Sequence, residues 1–365
     1  MSKRRVGIVF GGRSTEHEVS VVSATSILQA LDPARYDPVL IGLDHAGGWH
    51  LAESDAELPP EAVIGHRASA RAFPGLRQGL EWVGEDGRPA LSAPLDVVFP
   101  IVHGRGGEDG SLQGLLELAG AAYVGAGVAS TALCMDKLQT KAVLRDARLP
   151  VVPAVAAGRA EVLRDPQACA RRAERRFGFP VFAKPVNTGS SVGVGRAESL
   201  RELEDALAEA ARYDLGVLVE PALEVREIEC AVLGGEDPQA SVTGEIVYPG
   251  AFYDYEAKYA SDRTELRIPA DLPSELAEAL RDCALAAFRA LGCWGMARVD
   301  FFVERGDGAF YVNELNTLPG FTEGSMYPRL WEASGIALPE LVDRLLELAI
   351  ERRRNASELE VRFTR

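Results

Sequence analysis

The chain has 365 residues, 47% of them hydrophobic and 25% charged, with a formal net charge of −15. That is the composition of an ordinary globular protein, long enough for two or three domains. The acidic balance excludes a nucleic-acid backbone or an anionic membrane as main partner, because both call for basic surface.

Only five of the 39 basic residues are lysine: Lys3, Lys137, Lys141, Lys184 and Lys258. Arginine serves where a generic positive charge suffices, so the lysines mark places that want a compact ammonium, such as a phosphate contact. Around Lys3 and Lys141 the local sequence suggests only a solvated charge. The cysteines, at 134, 169, 230, 283 and 293, show no CxxC pair and no metal-ligand spacing. Reduced, inert thiols and a cytoplasmic setting are expected. The opening apolar run, Val6 to Phe10, is too short for a signal-peptide core or a membrane span.

In chain order, Val6-Gly-Ile-Val-Phe10 reads as a buried strand, closed by Gly11-Gly12 and followed by a helix from Ser14 or Thr15 to Leu31. Strand, glycine turn and helix open a doubly wound parallel α/β domain, although the GxGxxG of a dinucleotide fold is missing. Asp37 to Leu43 is a second strand, Asp44 to Ala93 reads as irregular with a small hairpin near Trp49, and Asp96 to Val102 is a third buried strand. Ligands of open α/β sheets bind beyond the carboxyl ends of the strands, where Glu16 and His103 fall. Each also has an ordinary structural role to hand: a first-turn acid for Glu16, a backbone-bonded loop residue for His103.

Helices are expected over Val128 to Asp146 and Pro166 to Phe177, with Pro150-Val-Val-Pro153 opening a second domain. Pro180 to Val186 is a strand carrying Lys184. The glycine–serine loop behind it, Asn187 to Gly195, offers backbone N–H groups and the hydroxyls of Ser190 and Ser191 to phosphate oxygens. It is not a Walker A sequence, and a plain hairpin turn is the alternative. A helix over Ser199 to Ala211 precedes strands at Gly216 to Glu220 and Glu224 to Leu233. Glu220 and Glu227 on these strands either hydrogen-bond ribose hydroxyls or stand at a solvated edge. Tyr248 to Asp262, aromatic and charged, reads as a long loop able to fold over a site. Helices at Pro273 to Leu291 and Leu338 to Arg354 and a frayed tail complete the chain.

Between those last helices, Met296 to Val303 and Ala309 to Asn316 flank Glu304-Arg-Gly-Asp-Gly308, the pattern of a β-hairpin. Residues two apart on a strand share a face, so Glu314 and Asn316 point together. With Asp300 opposite them, three oxygen-bearing side chains converge, as a hard divalent cation requires. Arg298, on the face of Asp300, adds a fixed positive charge. Carboxylates at a solvated strand edge are the alternative, but the flanking Phe301, Phe302, Phe310 and Val312 suggest burial, where acids need a partner or a metal.

Together these stretches resemble the ATP-grasp superfamily and, within it, the D-alanine–D-alanine ligase family. The resemblance rests on seven motifs in order: Gly11 to Ser20, His103 to Gly114, Met135-Asp-Lys137, Gly189 to Gly193, Phe252 to Tyr259, Arg298-Val-Asp300 and Asn313 to Thr322. It implies an α/β, three-domain ATP-grasp architecture. Residues 1–127 would form the N-terminal doubly wound parallel-sheet domain on the substrate side, 128–224 the central subdomain and 225–365 the C-terminal subdomain with the metal site. It implies ATP, with Lys137, Lys184 and the Ser190–Ser191 loop at its phosphates, Glu220 and Leu223 at the adenine end and Glu227 at the ribose. The family's aromatic at the adenine hinge has no counterpart, because Pro221-Ala222 follows Glu220. Asp300, Glu314 and Asn316 would carry two Mg²⁺, with Mn²⁺ as the substitute, and Lys258 would reach the γ-phosphate.

By the same resemblance Glu16 binds the ammonium of the first D-alanine, and His103 lies near its carboxylate. Glu16, Ser190 and Tyr259 form a network that closes the loop. Arg298 and the N–H of Gly320 stabilise an oxyanion, and Ser325 and Met326 meet the second substrate's carboxylate. The expected activity is formation of D-alanyl-D-alanine through an acyl phosphate, by a homodimer that binds neither nucleic acid nor membrane. Ligases that accept D-lactate or D-serine, another ATP-grasp carboxylate–amine ligase and a non-catalytic nucleotide-binding module are the competing readings.

Overall fold

The computed structural model describes residues 3–53, 60–64, 69–74, 80–84, 86–89, 91, 93–248, 265–306 and 308–360. Among these residues three β-sheets follow one another along the chain.

The first sheet is built from β1 (Arg4–Gly11), β2 (Tyr36–Leu43), β3 (Trp49–Glu53), β4 (Ser69–Pro74), β5 (Leu80–Gly84) and β6 (Val97–Pro100), in the order β5-β4-β3-β2-β1-β6. Helices α1 (His17–Ala30) and α2 (Pro60–Ile64) interrupt it, and α3 (Ser111–Ala119) follows β6. β1 is central, parallel to β2 and β6, and its last six residues are all buried, as expected of a strand covered on both faces. The stretch from Asp44 to Ala93, expected to be irregular, instead adds β3, β4 and β5 as an antiparallel extension. Its strands are short, and what secures them is distant: Leu51 and Trp82 bury against Val39 and Ile41.

Two helices, α4 (Val128–Met135) and α5 (Lys137–Asp146), replace the single expected one. Asp136 has extended backbone between them, and its carboxylate accepts the N–H of Leu138 at 3.0 Å and of Gln139 at 2.9 Å. An aspartate cap of this kind restarts a helix.

The middle sheet follows: β7 (Val155–Gly158), α6 (Arg159–Arg164), α7 (Pro166–Phe177), β8 (Val181–Pro185), β9 (Gly195–Ala197), α8 (Leu200–Tyr213) and β10 (Gly216–Pro221). Its strands run antiparallel in the order β7-β10-β8-β9. α8 buries Leu203, Ala206, Leu207, Ala210 and Ala211, one apolar stripe at helical spacing. That stripe closes a core of the sheet's own with Val181, Ala183, Val217 and Val219.

The third sheet comprises β11 (Val225–Gly234), β12 (Gln239–Val247), β13 (Glu265–Arg267), β14 (Gly295–Glu304) and β15 (Phe310–Asn316), in the order β13-β12-β11-β14-β15. Helix α9 (Ser274–Ala290) precedes β14, and α10 (Met326–Ala333) and α11 (Leu338–Ser357) end the described chain. Both faces are covered. Cys230, Val232, Val299 and Phe301 pack with Leu280 and Phe288 of α9, joined by Cys134 and Leu144 of α4 and α5. Ala231, Leu233 and Met296 face the other way, into a core shared with Ile8, Phe10 and Phe99 of the first sheet and Leu341 and Leu345 of α11. All five cysteines are buried free thiols. Among the described residues no helix is long and apolar enough to cross a membrane.

Candidate active site

β14 shows why the hairpin can carry polar chemistry. Val299, Phe301 and Val303 are buried in the α9 core, so the period of two sends Arg298, Asp300 and Phe302 to the opposite face. On β15 the phase is reset by a bulge. Asp300 pairs with Glu314 but Phe301 pairs with Val312, leaving Asn313 as an extra residue. Val312 and Leu315 therefore both reach the core, while Glu314 and Asn316 face the cavity alongside Asp300. On the far side of β14, Glu229 of β11 stands opposite Asp300.

Three acids thus lie in one cross-strand row, an arrangement that is unfavourable unless cations intervene. Arg298 intervenes first. Its Nε and Nη2 donate to both oxygens of Asp300 at 2.7 Å each, and its Nε lies 3.0 Å from Glu229. Burial opposes the Arg298 charge, but Asp300 and Glu229 outweigh it and hold the guanidinium well above its ordinary value. Lys137 intervenes second, its Nζ 3.4 Å from Glu314 and donating to the Thr188 carbonyl at 2.8 Å.

The first sheet supplies the next wall. Gly11 ends β1 at φ +86°, and a Cβ there would come within 2.2 Å of the Leu43 carbonyl oxygen, so only glycine can make this turn. The turn delivers Glu16 to the mouth of the sheet, where it accepts a 2.6 Å hydrogen bond from the Ser190 hydroxyl. The loop after β6 is equally constrained: a Cβ on Gly107 would lie 1.8 Å from the Val102 carbonyl oxygen. This loop buries His103, whose Nδ1 lies 3.0 Å from the Leu318 carbonyl and whose Nε2 lies 3.5 Å from the Ser23 hydroxyl. Burial lowers the imidazole's pKa against the opposing charge of Glu16. Glu108 folds back to accept the Gly104 N–H. Burial, then the neighbouring Glu16 charge, push its carboxyl up to about 8.

The middle sheet presents Lys184 on β8 and, beyond it, Ser190 and Ser191, both left-handed at φ +51° and +57°. Two consecutive non-glycine residues in that region cost energy that surrounding contacts must hold, a pattern typical of ligand clamps. Lys184 is ion-paired to Glu220, which is 2% exposed. The other oxygen of Glu220 is 2.6 Å from Lys141, whose Nζ also donates to the Val152 carbonyl at 3.1 Å. Lys141 is therefore a buried structural cation and not a solvated charge. Burial works against ionisation of Glu220, but Lys184 and Lys141 outweigh it and lower its pKa.

These walls enclose one cavity of about 660 Å³, within the usual range for a small-molecule site. Glu16 and His103 line it from the first sheet, and Lys137, Lys184, Ser190 and Ser191 from α5 and the middle sheet. Glu227, Arg298, Asp300, Glu314 and Asn316 line it from the third sheet, with Gly320, Ser325 and Met326 on the segment leading into α10. Glu220 and Leu223 do not line it; Glu220 lies behind the wall with its two lysines. Lys258 and Tyr259 lie outside the described residues. Glu227 accepts the Tyr248 hydroxyl at 2.9 Å.

The family model for the D-ala D-ala ligase N-terminus matches residues 5–126, and that for the D-ala D-ala ligase C-terminus matches residues 143–347. The chain belongs to the D-alanine–D-alanine ligase family. It is 48% identical over 361 residues to D-alanine–D-alanine ligase A of Chromobacterium violaceum, covering 97% of each chain. It is 45% identical over 368 residues to the D-alanine–D-alanine ligase of Acetivibrio thermocellus, covering 96% of each. Among solved structures, the D-alanine–D-alanine ligase of Coxiella burnetii superposes with a TM-score of 0.84 at 38% identity, over 98% of this chain and 97% of that one. The VanG D-Ala:D-Ser ligase of Enterococcus faecalis gives 0.84 at 31% identity, over 95% and 100%.

Membership of the D-alanine–D-alanine ligase family carries the ATP-grasp fold and implies the use of ATP and Mg²⁺. The donor set suits the metal. Asp300 and Glu314 offer carboxylates from paired positions and Asn316 an amide oxygen, and Mg²⁺ commonly takes one or two carboxylates beside phosphate oxygens and water. Among the described residues no group of three His, Cys, Asp or Glu side chains is arranged to hold a metal. Sequence reasoning missed Glu229, Glu108, Lys141 and the Asn313 bulge. Only Glu229 left a readable signal: two residues from Glu227, it had to share that residue's face.

Proposed function

We infer that this chain joins two D-alanines into D-alanyl-D-alanine, converting ATP to ADP and phosphate and supplying a peptidoglycan precursor. The observation that carries the reading is a single cavity in which the Arg298–Asp300–Glu314 row meets Lys137 and Lys184, with Glu16 at the opposite wall. Acids that can hold a metal, ammonium groups for phosphate and a carboxylate for a substrate amine are the parts that carboxylate–amine ligation requires.

A carboxylate is a poor electrophile, and its approach to a triphosphate is a meeting of anions. Lys137 and Lys184 are placed to neutralise phosphate charge, and Asp300, Glu314 and Asn316 would hold two Mg²⁺. Bound magnesium adds further positive charge at the phosphate oxygens. Phosphoryl transfer depends on such positioning and electrostatics. A carboxylate oxygen of the first D-alanine bonds to the γ-phosphorus and ADP departs. The amine of the second D-alanine then attacks the acyl carbon, loses a proton, and expels phosphate with the electrons of the breaking C–O bond. Arg298 and the Gly320 N–H would stabilise the tetrahedral oxyanion. Glu16 would hold the first ammonium beside His103, and Ser325 and Met326 the second carboxylate. Glu227 would meet the ribose. Glu220, fixed between Lys141 and Lys184, would act at the adenine end with Leu223 from behind the wall. Lys258 and Tyr259 would close over the site and exclude water.

The assigned domains are 1–127, 128–224 and 225–365, in a cytoplasmic homodimer. Phosphate release measured with D-alanine, L-alanine, D-lactate and D-serine tests the activity. D-Alanine alone should sustain turnover. ATP binding without amino-acid-dependent release would leave only a nucleotide-binding module, and release that needs D-lactate or D-serine would reassign the second substrate.

A further inference from the structure

Arg298 divides itself between two acids, and that division has a use if Asp300 is a metal ligand. In the structure both oxygens of Asp300 accept from Arg298, each at 2.7 Å. A carboxylate gripped in this bidentate way has one lone pair of each oxygen engaged, and it offers those lone pairs to a cation only by giving up part of the grip. Arg298 is mostly shielded, with 20% of its side chain exposed, and a charge left there without an acid would be costly. Glu229 answers that need. It is 5% exposed, stands directly across β14 from Asp300, and already lies 3.0 Å from the Arg298 Nε. Nε donates to Asp300 while Glu229 stands within ion-pair distance of the same nitrogen, so a small rotation would move the guanidinium from one acid to the other.

We propose that Glu229 is a positioning residue that takes over Arg298 when Asp300 turns to the metal, keeping the guanidinium charged and aimed into the cavity. The proposal rests on the metal assignment made under Proposed function. It explains why a third acid is buried in a row where two would serve as ligands. Without Glu229, Arg298 competes with the metal for Asp300; with it, the two cations have separate carboxylates.

The test is Mn²⁺ binding to the protein–ADP complex, followed by electron paramagnetic resonance. Residues that orient a metal's ligands typically contribute about 10- to 100-fold to metal affinity. Glu229→Gln, equal in shape but uncharged, should weaken Mn²⁺ by about tenfold or more while leaving the melting temperature of the metal-free protein little changed. Glu229→Asp, which keeps the charge, should recover most of the affinity. Wild-type Mn²⁺ affinity in the Gln variant overturns the proposal. Asp300→Asn run alongside separates the two claims: if it too binds Mn²⁺ like wild type, the metal assignment itself is wrong. A crystal with ADP and Mg²⁺ decides the matter without any variant. Arg298 should sit on Glu229 there, and a guanidinium still bidentate on Asp300 rules the proposal out.

Discussion

Replacing Lys141 by methionine removes one of the two cations that hold Glu220. Both groups are almost inaccessible, with side-chain exposures of 6% and 3%, and their atoms are 2.6 Å apart. Breaking a buried pair commonly costs about 3–5 kcal/mol, because a charge is left behind. Here Lys184 stays on the second oxygen of Glu220, so about half of that, roughly 2 kcal/mol, is the expected loss. The loss falls on the middle sheet, which has its own core and spans roughly 70 residues, and for a unit of that size 1 kcal/mol is worth about 4–8 °C. Calorimetry should therefore show the transition of the middle sheet lowered by about 8–16 °C. Lys184, now the sole described cation on Glu220, should be less available to phosphate, raising the KM for ATP. The double variant Lys141→Met with Glu220→Leu should recover much of the stability, since it no longer strands a buried carboxylate. A single variant that melts within a degree or so of wild type would refute the claim that this ion pair supports the sheet.

Glu314→Gln should lower kcat by about 10- to 100-fold with a smaller effect on ATP affinity, measured by steady-state kinetics and nucleotide titration; full activity with Mg²⁺ would remove Glu314 from the metal site. Ser190→Ala deletes a 2.6 Å hydrogen bond to the Glu16 carboxylate. Bonds to charged groups are worth about 1.5–3 kcal/mol, so kcat/KM for D-alanine should fall by roughly 10- to 100-fold. Glu108 carries a pH signature. A carboxyl raised from 4.5 to about 8 stays protonated in the folded protein where the unfolded chain has lost its proton, so stability declines as pH rises through that window. Melting temperatures should fall from pH 5 to 8 more steeply in the native sequence than in Glu108→Gln, and parallel profiles would count against the assignment.

The hairpin and the glycine–serine loop were legible because their patterns are local. Asp300 and Lys184 each sit on a strand whose alternation reveals which way they point, and the glycines around Glu16 and His103 mark turns that no other residue can make. What could not be read depends on pairing across the chain. The Asn313 bulge exists only relative to β14, yet it decides which face Glu314 joins. Lys141 looked like a surface charge because its partner, Glu220, is supplied by a strand far along the sequence. The same distance hid β3 to β5, whose buried residues Leu51 and Trp82 find their places in a core with Val39 and Ile41 of β2. The adenine-end role of Glu220 came from the family resemblance alone; that its side chain stands behind the cavity wall, between two lysines, depends on pairing that the local sequence does not show.

The core that runs unbroken from the first sheet to the third fixes which part of the molecule can swing. Phe99 meets Phe321 edge-on at 5.7 Å, and Tyr36 and Arg35 bond across to Asp343, so the first sheet is tied into one body with the C-terminal elements. The middle sheet hides its apolar residues in a separate interior and reaches that body through polar latches such as Ser190 on Glu16 and Glu220 on Lys141 of α5. Polar latches break and remake cheaply in water, whereas a shared oily interior does not. Any hinge between the two parts would therefore open at the middle sheet and leave the shared interior of the first and third sheets intact.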